Sequence, residues 1–168
     1  DDFLFSLTSQ KRKAIKKERG NLQKESINYK LLTGNQITES YIHFFYDFYS
    51  KTIEKKWGVQ YLNREFWFLL TERLKDRILL VTAEKNNVPF AGAINLFDNN
   101  ILYGRNWGTN KHIKFLHFEV CYYKAIEFAI NNKLKKVEAG AQGIHKLQRG
   151  YLPKITRSVH FYKDKAFE

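Results

Sequence analysis

Several side chains able to move protons or bind anions lie close together near residue 145. His145, Lys146, Gln148 and Arg149 follow residues 140–143, a GAQG sequence whose glycines let the backbone turn sharply. Polar groups concentrated in a turn between apolar segments are typical of binding and catalytic sites. A solvated loop without function has the same composition, so the spacing alone leaves both interpretations open.

A carboxylate on a helical stripe is the second candidate. Glu119 shares its helical spacing with Tyr123, Ile126 and Ile130, which places it on an otherwise apolar face. Burying an unpaired carboxylate is costly. Glu119 is therefore predicted either to meet a basic partner or to face a cleft.

The composition predicts one ordered domain with a basic surface. A chain of 168 residues that is 43% hydrophobic can bury a substantial core. Its net charge of +12 favours polyanions, among them nucleic acid, anionic lipid and phosphorylated cofactors, without choosing between them. The only cysteine, Cys121, cannot form an internal disulfide, and its apolar helical surroundings predict a buried thiol.

Several protein classes are excluded because their sequence patterns are missing. No apolar segment approaches the ~20 residues that span a bilayer, and no signal peptide opens the chain, so we expect a soluble, cytoplasmic protein. The histidine and cysteine spacings match no zinc template, and the common phosphate-binding glycine motifs do not occur, so no metal is expected. Because the chain has no methionine, we expect it to be part of a longer protein.

The hydrophobic periodicity predicts mostly helices at the start of the chain. Residues 3–20 are predicted to form an amphipathic helix with a basic outer face. This face could hold a phosphate-rich partner, lie on a membrane surface or simply be solvated. A strand is predicted over residues 26–32, and two further helices from residue 39 to about residue 56 and over residues 64–74.

Three strands joined by tight turns are predicted next. Residues 78–83 are a continuous apolar run, and residues 90–96 and 101–107 form the second and third strand-length segments. Asparagine and aspartate residues in the two intervening segments favour short turns. Together these features are typical of an antiparallel meander.

The segment after the meander predicts a parallel connection and completes the fold class. A helix from about residue 116 to residue 131 returns the chain to a strand at Val137, and a last strand is expected after Pro153. The predicted fold is a single α/β (α+β) domain over residues 1–168, with a mixed, mostly antiparallel central sheet flanked by helices.

This order of elements resembles the GNAT N-acyltransferase fold. Residues 138–153, EAGAQGIHKLQRGYLP, resemble a signature of its FemAB-like, "peptidoglycan biosynthesis/recognition" branch. Residues 118–126 resemble the crossover helix of that branch, residues 106–108 its loop after the meander, and the basic first helix its N-terminal helix. The resemblance covers nearly the whole chain. It implies that the chain is the C-terminal half of a protein with two GNAT-like halves, so that the N-terminal half is a partner.

The same resemblance implies transfer of an acyl or aminoacyl group to a small-molecule or peptide amine, in peptidoglycan-related metabolism. The sequence departs from the family's pattern at two places. Ile144 occupies a position where the family commonly has glutamate, so no acid–base role is carried over there. The RxxGxG-like phosphate loop of acetyl-CoA-dependent enzymes is also absent. The donor is therefore open between acyl-CoA and the aminoacyl-tRNA of Fem-type relatives.

Acyl transfer to an amine needs a base and hydrogen-bond donors for the oxyanion, which the backbone of the 140–143 turn or a sheet edge could supply. Glu119 and His145 are the candidate bases, each with an equally open structural interpretation. Tyr151 is a candidate proton donor to the leaving group, with a packing role as an equally open alternative. His117 is interpreted as structural. The predicted substrate- and cofactor-binding residues are Arg105, Gly108, Lys111, Gln142, Gly143, Lys146 and Arg149.

A different class of function is also consistent with the sequence. A non-catalytic GNAT-like module could bind RNA or a cell-wall precursor through its basic groups and support a catalytic half elsewhere. Ile144 and the missing phosphate loop favour this alternative, whereas the rest of the turn motif favours the enzyme. A membrane-surface adaptor that uses the basic helix is a third possibility.

Overall fold

Two helices separated by a capping threonine begin the chain. A computed structural model describes residues 2–55, 58–140, 143–155 and 157–161. It contains α1 (Asp2–Phe5) and α2 (Ser9–Gln23), where the sequence predicted one helix over residues 3–20. The break arises because Thr8 is extended and its side chain accepts the backbone N–H of Lys11, which starts a new helix.

A strand and two helices follow, with bounds close to those predicted. They are β1 (Asn28–Leu32), α3 (Glu39–Glu54) and α4 (Arg64–Leu74). The side chain of Asn63 caps α4 by accepting the backbone N–H of Phe66 at 2.9 Å. This local signal explains why the predicted bounds of α4 agree with the structure.

The predicted meander is present and its strands are longer than the sequence indicated. β2 (Ile78–Lys85), β3 (Val88–Phe97) and β4 (Ile101–Thr109) pair antiparallel. Asn86 and Asn87 both have positive φ, so β2 and β3 are joined by a two-residue hairpin and pair up to the turn itself.

A crossover helix joins the meander to the last strand. This helix, α5, spans residues 116–131 and contains a π-helical turn at Glu119–Tyr123. β5 (Lys136–Glu138) follows, and then a 3₁₀ helix (Ile144–Arg149). The sheet order is β1-β2-β3-β4-β5, with β5 parallel to β4 and the other pairs antiparallel, which confirms the predicted mixed sheet.

The prediction of a strand after Pro153 is wrong for the described part of that segment. Residues 151–155 and 157–161 form no strand. Strand-forming residues need a neighbouring strand to hydrogen-bond with, and the described chain gives them none.

The core lies on both faces of the sheet, between two layers of helices. Leu79 and Val81 of β2 pack with Val120 of α5, whereas Ile78 and Leu80 pack with α3 and α4. This two-sided burial explains the continuous apolar run in β2. Cys121, predicted as a buried thiol, lies at the edge of the core and is half-buried.

Candidate active site

The opening between β4 and β5 is where the sheet leaves strand backbone unpaired. The last paired positions of these strands are Tyr103 and Glu138. One residue further along β4 the two strands are still in contact, because a Cβ on Gly104 would lie 3.3 Å from the carbonyl oxygen of Glu138. Beyond Gly104, β4 continues to Thr109, whereas the segment that follows β5 turns at Gly140, which has a φ of 74°. A wedge-shaped opening results.

A β-bulge in β4 borders this opening. Ile94 faces Asn106 and Asn95 faces Gly104, so Arg105 is the extra residue between them. A bulged residue is left out of the strand ladder, and its backbone groups can point elsewhere. The side chain of Arg105 is exposed.

His145 lies on the 3₁₀ helix that follows β5. Its ring nitrogen Nε2 is 2.9 Å from the hydroxyl oxygen of Tyr122 on α5. Gly143 precedes it with a φ of 102°, and a Cβ on Gly143 would lie 2.5 Å from ring carbon Cε1 of His145. Only glycine at position 143 leaves the imidazole where it is.

The surroundings keep both His145 and Tyr122 uncharged near neutral pH. Burial and the nearby charges of Arg149 and Lys146 lower the pKa of His145 below its ordinary 6.5, so the imidazole is neutral at pH 7. Burial raises the pKa of Tyr122 to about 12, so its hydroxyl keeps its proton. The pair therefore joins a proton acceptor to a proton donor.

Aromatic rings connect β4 to this pair. Trp107 of β4 packs edge to face on His117, with ring centres 4.8 Å apart. The His117 ring lies 5.3 Å from Tyr122 and 6.1 Å from His145. His117, which the sequence analysis interpreted as structural, therefore lies between the two walls of the opening.

A groove of about 330 Å³ adjoins Trp107 and His117. Its other lining residues are Thr52, Lys55, Thr109, Lys111 and His112. The backbone N–H groups of residues 112–115 donate to no acceptor within the described part of the chain. Free N–H groups beside basic side chains form a surface suited to an anion.

Gly108 was predicted to bind substrate. In the structure, close packing explains why this position needs a glycine. A Cβ there would lie 2.2 Å from the carbonyl carbon of Phe48 and 2.3 Å from the backbone nitrogen of Tyr49. Gly108 thus lets β4 lie directly against the backbone of α3. A contact between Gly108 and a ligand stays a prediction.

Arg149 was predicted to hold a ligand anion, and its guanidinium is engaged inside the protein. Nη2 donates to Glu18 at 2.6 Å, and Nη1 donates to the carbonyl oxygen of His145 at 2.7 Å. The guanidinium carbon lies 3.3 Å from the centre of the Phe118 ring. Only 6% of the surface of Arg149 is exposed, so this residue is buried and supports the backbone of His145.

Glu119, a predicted base, has the basic partner that the sequence analysis gave as one alternative. Arg19 of α2 holds both of its carboxylate oxygens, at 2.9 and 3.0 Å. Lys124 lies 3.7 Å away, and Arg19 also pairs with Glu127. Only 4% of the Glu119 side chain is exposed, so this carboxylate is buried and paired with a cation.

Tyr151 and Lys146 flank the His145 pair. The Tyr151 ring packs edge to face on Tyr122, with centres 5.5 Å apart, and burial raises the pKa of its hydroxyl. The buried hydroxyl of Tyr151 has no hydrogen-bond partner among the described residues. Lys146 donates to the carbonyl oxygen of Gly140 at 3.0 Å.

The predicted residues thus form one compact cluster and a more distant group. Gly143, His145, Lys146, Arg149 and Tyr151 lie together around Tyr122, whereas Arg105, Gly108 and Lys111 belong to β4 and the loop after it. Glu119 lies one helical turn before this cluster, in its own ion pair. Gln142 lies outside the described residues.

Two residues of the site escaped the sequence analysis, Tyr122 and Glu18. Both belong to segments that carried the family resemblance, which was the available signal. Their contacts with His145 and Arg149 join residues 23 and 131 positions apart in sequence, so no local spacing could reveal them.

Matches to known proteins identify the family. Residues 1–168 match the FemAB-like family, described as peptidoglycan biosynthesis/recognition. The chain belongs to the FemAB-like family. No match was found among curated protein sequences.

Solved acetyltransferases share the fold of this FemAB-like chain at low sequence identity. A predicted acetyltransferase from Clostridium acetobutylicum, solved with acetyl-CoA, gives a TM-score of 0.61 at 12% identity over 80% of this chain and 96% of that one. An aminoglycoside acetyltransferase from an uncultured soil metagenomic sample, solved with sisomicin, gives 0.56 at 13% over 84% and 97%. A GNAT family acetyltransferase from Staphylococcus aureus gives 0.55 at 12% over 82% and 99%. The predicted GNAT fold is confirmed.

The described residues of this FemAB-like protein show neither a metal-binding cluster nor a membrane-spanning helix. They contain no cluster of three or more histidine, cysteine or acidic side chains arranged to bind a metal ion. None of the described helices combines the length and the apolar character that crossing a membrane requires.

Proposed function

We propose that this chain is an N-acyltransferase that moves an acyl group from acyl-CoA to an amine, with His145 and Tyr122 transferring the protons. The observation that carries the proposal is the 2.9 Å contact between His145 Nε2 and the Tyr122 hydroxyl beside the opening of β4 and β5. Because the imidazole is neutral and the hydroxyl protonated at pH 7, one point in the opening offers both a base and an acid.

The reaction needs two proton movements, and this pair can perform both. The amine nitrogen forms a bond to the thioester carbonyl carbon, and the bond from that carbon to sulfur breaks. His145 accepts at Nδ1 the proton that the nitrogen loses, while its Nε2–H donates to the hydroxyl oxygen of Tyr122, and Tyr122 gives its proton to the departing thiolate. The Nε2 proton then passes to Tyr122 across their hydrogen bond, which returns both groups to their uncharged forms.

Two residues that the sequence predicted as catalytic have supporting roles in this proposal. Glu119 is held by Arg19 and keeps α2 against α5, so His145 is the base. Tyr151 packs on the ring of Tyr122 and orients it, so the hydroxyl of Tyr122 is the proton donor.

Backbone groups would hold the donor on the β4 side of the opening. The bulge at Arg105 frees backbone that can stabilise negative charge on the carbonyl oxygen during transfer. The free N–H groups of residues 112–115, with Lys111 and His112 beside them, suit the phosphates of CoA. In this proposal they replace the absent RxxGxG-like loop.

We choose acyl-CoA over aminoacyl-tRNA as the donor for two reasons. Structures of the same fold contain CoA or acetyl-CoA. The groove beside Trp107, at about 330 Å³, has the size of a small-molecule site. The acceptor in this proposal is a small-molecule or peptide amine, and the family description supports a role in cell-wall metabolism. A second GNAT-like half remains part of the proposal as the partner that completes the protein.

Ligand stabilisation and thiol release test this proposal together. Acyl-CoA should raise the unfolding midpoint by mass action, and free CoA thiol should appear only when an amine is added. Tyr122→Phe keeps the ring but should slow release by about 10- to 100-fold, with the stabilisation by acyl-CoA unchanged. If only aminoacyl-tRNA stabilises the protein, aminoacyl-tRNA and not acyl-CoA is the donor. If none of the donors stabilises it, the proposal is wrong.

The second candidate, an RNA-binding module, is favoured by the exposed basic face of α2. Lys13, Lys16 and Lys17 are all exposed there. If RNA is the ligand, log affinity should fall linearly with log salt concentration as counterions are released. An affinity that does not change with salt, or no binding, removes this candidate.

A further inference from the structure

We propose that Glu18 of α2 is a positioning residue for the base His145, acting through Arg149. The inference rests on the proposed function for the role of His145, and on geometry for the role of Glu18. It assigns part of the site to a helix that lies outside the sheet.

The connection from Glu18 to His145 consists of two short hydrogen bonds. Glu18 Oε1 accepts from Nη2 of Arg149 at 2.6 Å, and Nη1 of the same guanidinium donates to the carbonyl oxygen of His145 at 2.7 Å. A guanidinium is planar and its two Nη groups have a fixed relative direction. Fixing one end against Glu18 therefore fixes where the His145 backbone lies.

Burial makes this connection rigid. The side chains of Arg149 and Glu18 are 7% and 14% exposed, so water competes little for their charges. The guanidinium also lies against the Phe118 ring, with its central carbon 3.3 Å from the ring centre. Because that ring belongs to α5, Arg149 is held against the same helix that carries Tyr122.

Glu18 also holds the other member of the acid–base pair in place. Its second carboxylate oxygen accepts a short hydrogen bond from the hydroxyl of Tyr123. Tyr123 directly follows Tyr122, whose hydroxyl contacts His145. One carboxylate thus fixes both the 3₁₀ helix and the segment of α5 opposite it, and so sets the separation of base and acid.

The neighbouring residue supplies a matched control. Arg19 forms a second ion-pair network between α2 and α5, with Glu119 and Glu127, and Lys124 also pairs with both carboxylates. None of these contacts reaches His145. Removing the charge of Glu127 tests the cost of weakening the α2–α5 junction without touching the connection to the base.

The test compares Glu18→Gln with Glu127→Gln in the full chain. We expect Glu18→Gln to lower kcat at least tenfold, to leave the KM for acyl-CoA unchanged, and to shift the imidazole NMR resonances of His145, assigned with His145→Ala. Glu127→Gln should change neither kcat nor those resonances. Unchanged kcat and resonances in Glu18→Gln, or equal changes in both variants, would overturn the inference.

A second variant covers the case in which Glu18→Gln does not fold. Arg149→Lys keeps the positive charge beside Glu18 but cannot reach Glu18 and the His145 carbonyl with one planar fork. It should reproduce the kcat loss and the resonance shift, and normal values would overturn the inference. If the wild-type protein transfers no acyl group, the proposed function fails, and the His145 resonances alone decide the role of Glu18.

Discussion

The two sides of β4 differ in how completely the strand is held. Toward β3 it is paired from Leu102 to Thr109 except at the bulged Arg105, and Gly108 touches the backbone of α3. Toward β5 it is paired at three positions, and beyond them Trp107 of β4 is linked through the ring of His117 to Tyr122 and His145. In the proposed function, the closed side contributes stability and the open side contributes the chemistry. Substitutions on the two sides should fail in different ways.

The largest effect is expected on the closed side, from Gly108→Ala. Its new Cβ would overlap the backbone of Phe48 and Tyr49, which cannot move without separating α3 from the sheet. We expect the free energy of unfolding in urea to fall by about 3 kcal/mol or more. Gly20→Ala is the control, because a Cβ there meets nothing within 4 Å and alanine favours helix. A loss below about 1 kcal/mol at Gly108 would contradict the close packing.

On the open side, His145→Ala should abolish function without unfolding the protein. Loss of a general base reduces kcat by about 10²- to 10⁴-fold. The half-buried imidazole contributes little to the core, so the free energy of unfolding should change by less than about 1 kcal/mol. His43→Ala, at an exposed histidine on α3, serves as the control and should keep full activity. An unfolded His145→Ala would return His145 to a purely structural role.

Glu119→Gln tests whether Glu119, a candidate base from the sequence, contributes to folding stability and not to catalysis. The substitution leaves Arg19 with one fewer charged partner in a partly buried site. We expect the free energy of unfolding to fall by about 2 kcal/mol, less than for a fully buried pair because Arg19 is 34% exposed. The transfer rate per folded molecule should change less than about twofold. A stable but inactive variant would restore Glu119 as the base.

Gly143→Ala should displace the base by a smaller amount. The new methyl group would occupy the place of the His145 ring edge, and alanine disfavours a φ of 102°. We expect kcat to fall about tenfold, as a misplaced group costs less than a missing one. The control is an alanine at Gly140, which also has a positive φ (74°) but where a Cβ meets nothing within 4 Å. Equal losses in the two variants would attribute the effect to strain alone.

The smallest effect is a shift in pH dependence. Burial and two neighbouring cations disfavour the protonated imidazole, so the base is present at pH 7 and is lost only as pH falls through a pKa below 6.5. At saturating acceptor, kcat should therefore be flat near neutral pH and drop tenfold per unit below that pKa. The pKa of Tyr122, raised to about 12, adds no alkaline limb before pH 9. An acid limb centred above 6.5 would contradict the assignment.

The predictable parts of the fold were those determined by local signals. The Asn63 cap defined α4, the two asparagines at residues 86 and 87 defined a hairpin, and the apolar run of β2 indicated burial on both faces. The strand expected after Pro153 is absent from the described residues of that segment, because no neighbouring strand is there to pair with it. The break at Thr8 was missed because the apolar stripe continues across it.

The site was less predictable because its contacts join distant segments. The turn composition singled out His145 and Gly143 as candidates, and in the structure the two lie in contact. Arg149 looked like a surface cation, since nothing in its neighbourhood revealed the carboxylate 131 residues away. Tyr122 was not singled out, because its partner His145 lies 23 residues away in the sequence. Sequence patterns thus predicted which segments carry the site but not which side chains meet.

The π-helical turn in α5 has a consequence for how such a site can change over generations. A π turn holds one residue more than an α turn, so Glu119–Tyr123 has the form of a one-residue insertion in a regular helix. A one-codon deletion there would restore the α register and rotate the two tyrosines by about 100° relative to the preceding turn. The phenols would leave their partners in one step, although no side chain had been substituted. The number of residues in this turn therefore matters to the arrangement of the tyrosines as much as their identities do.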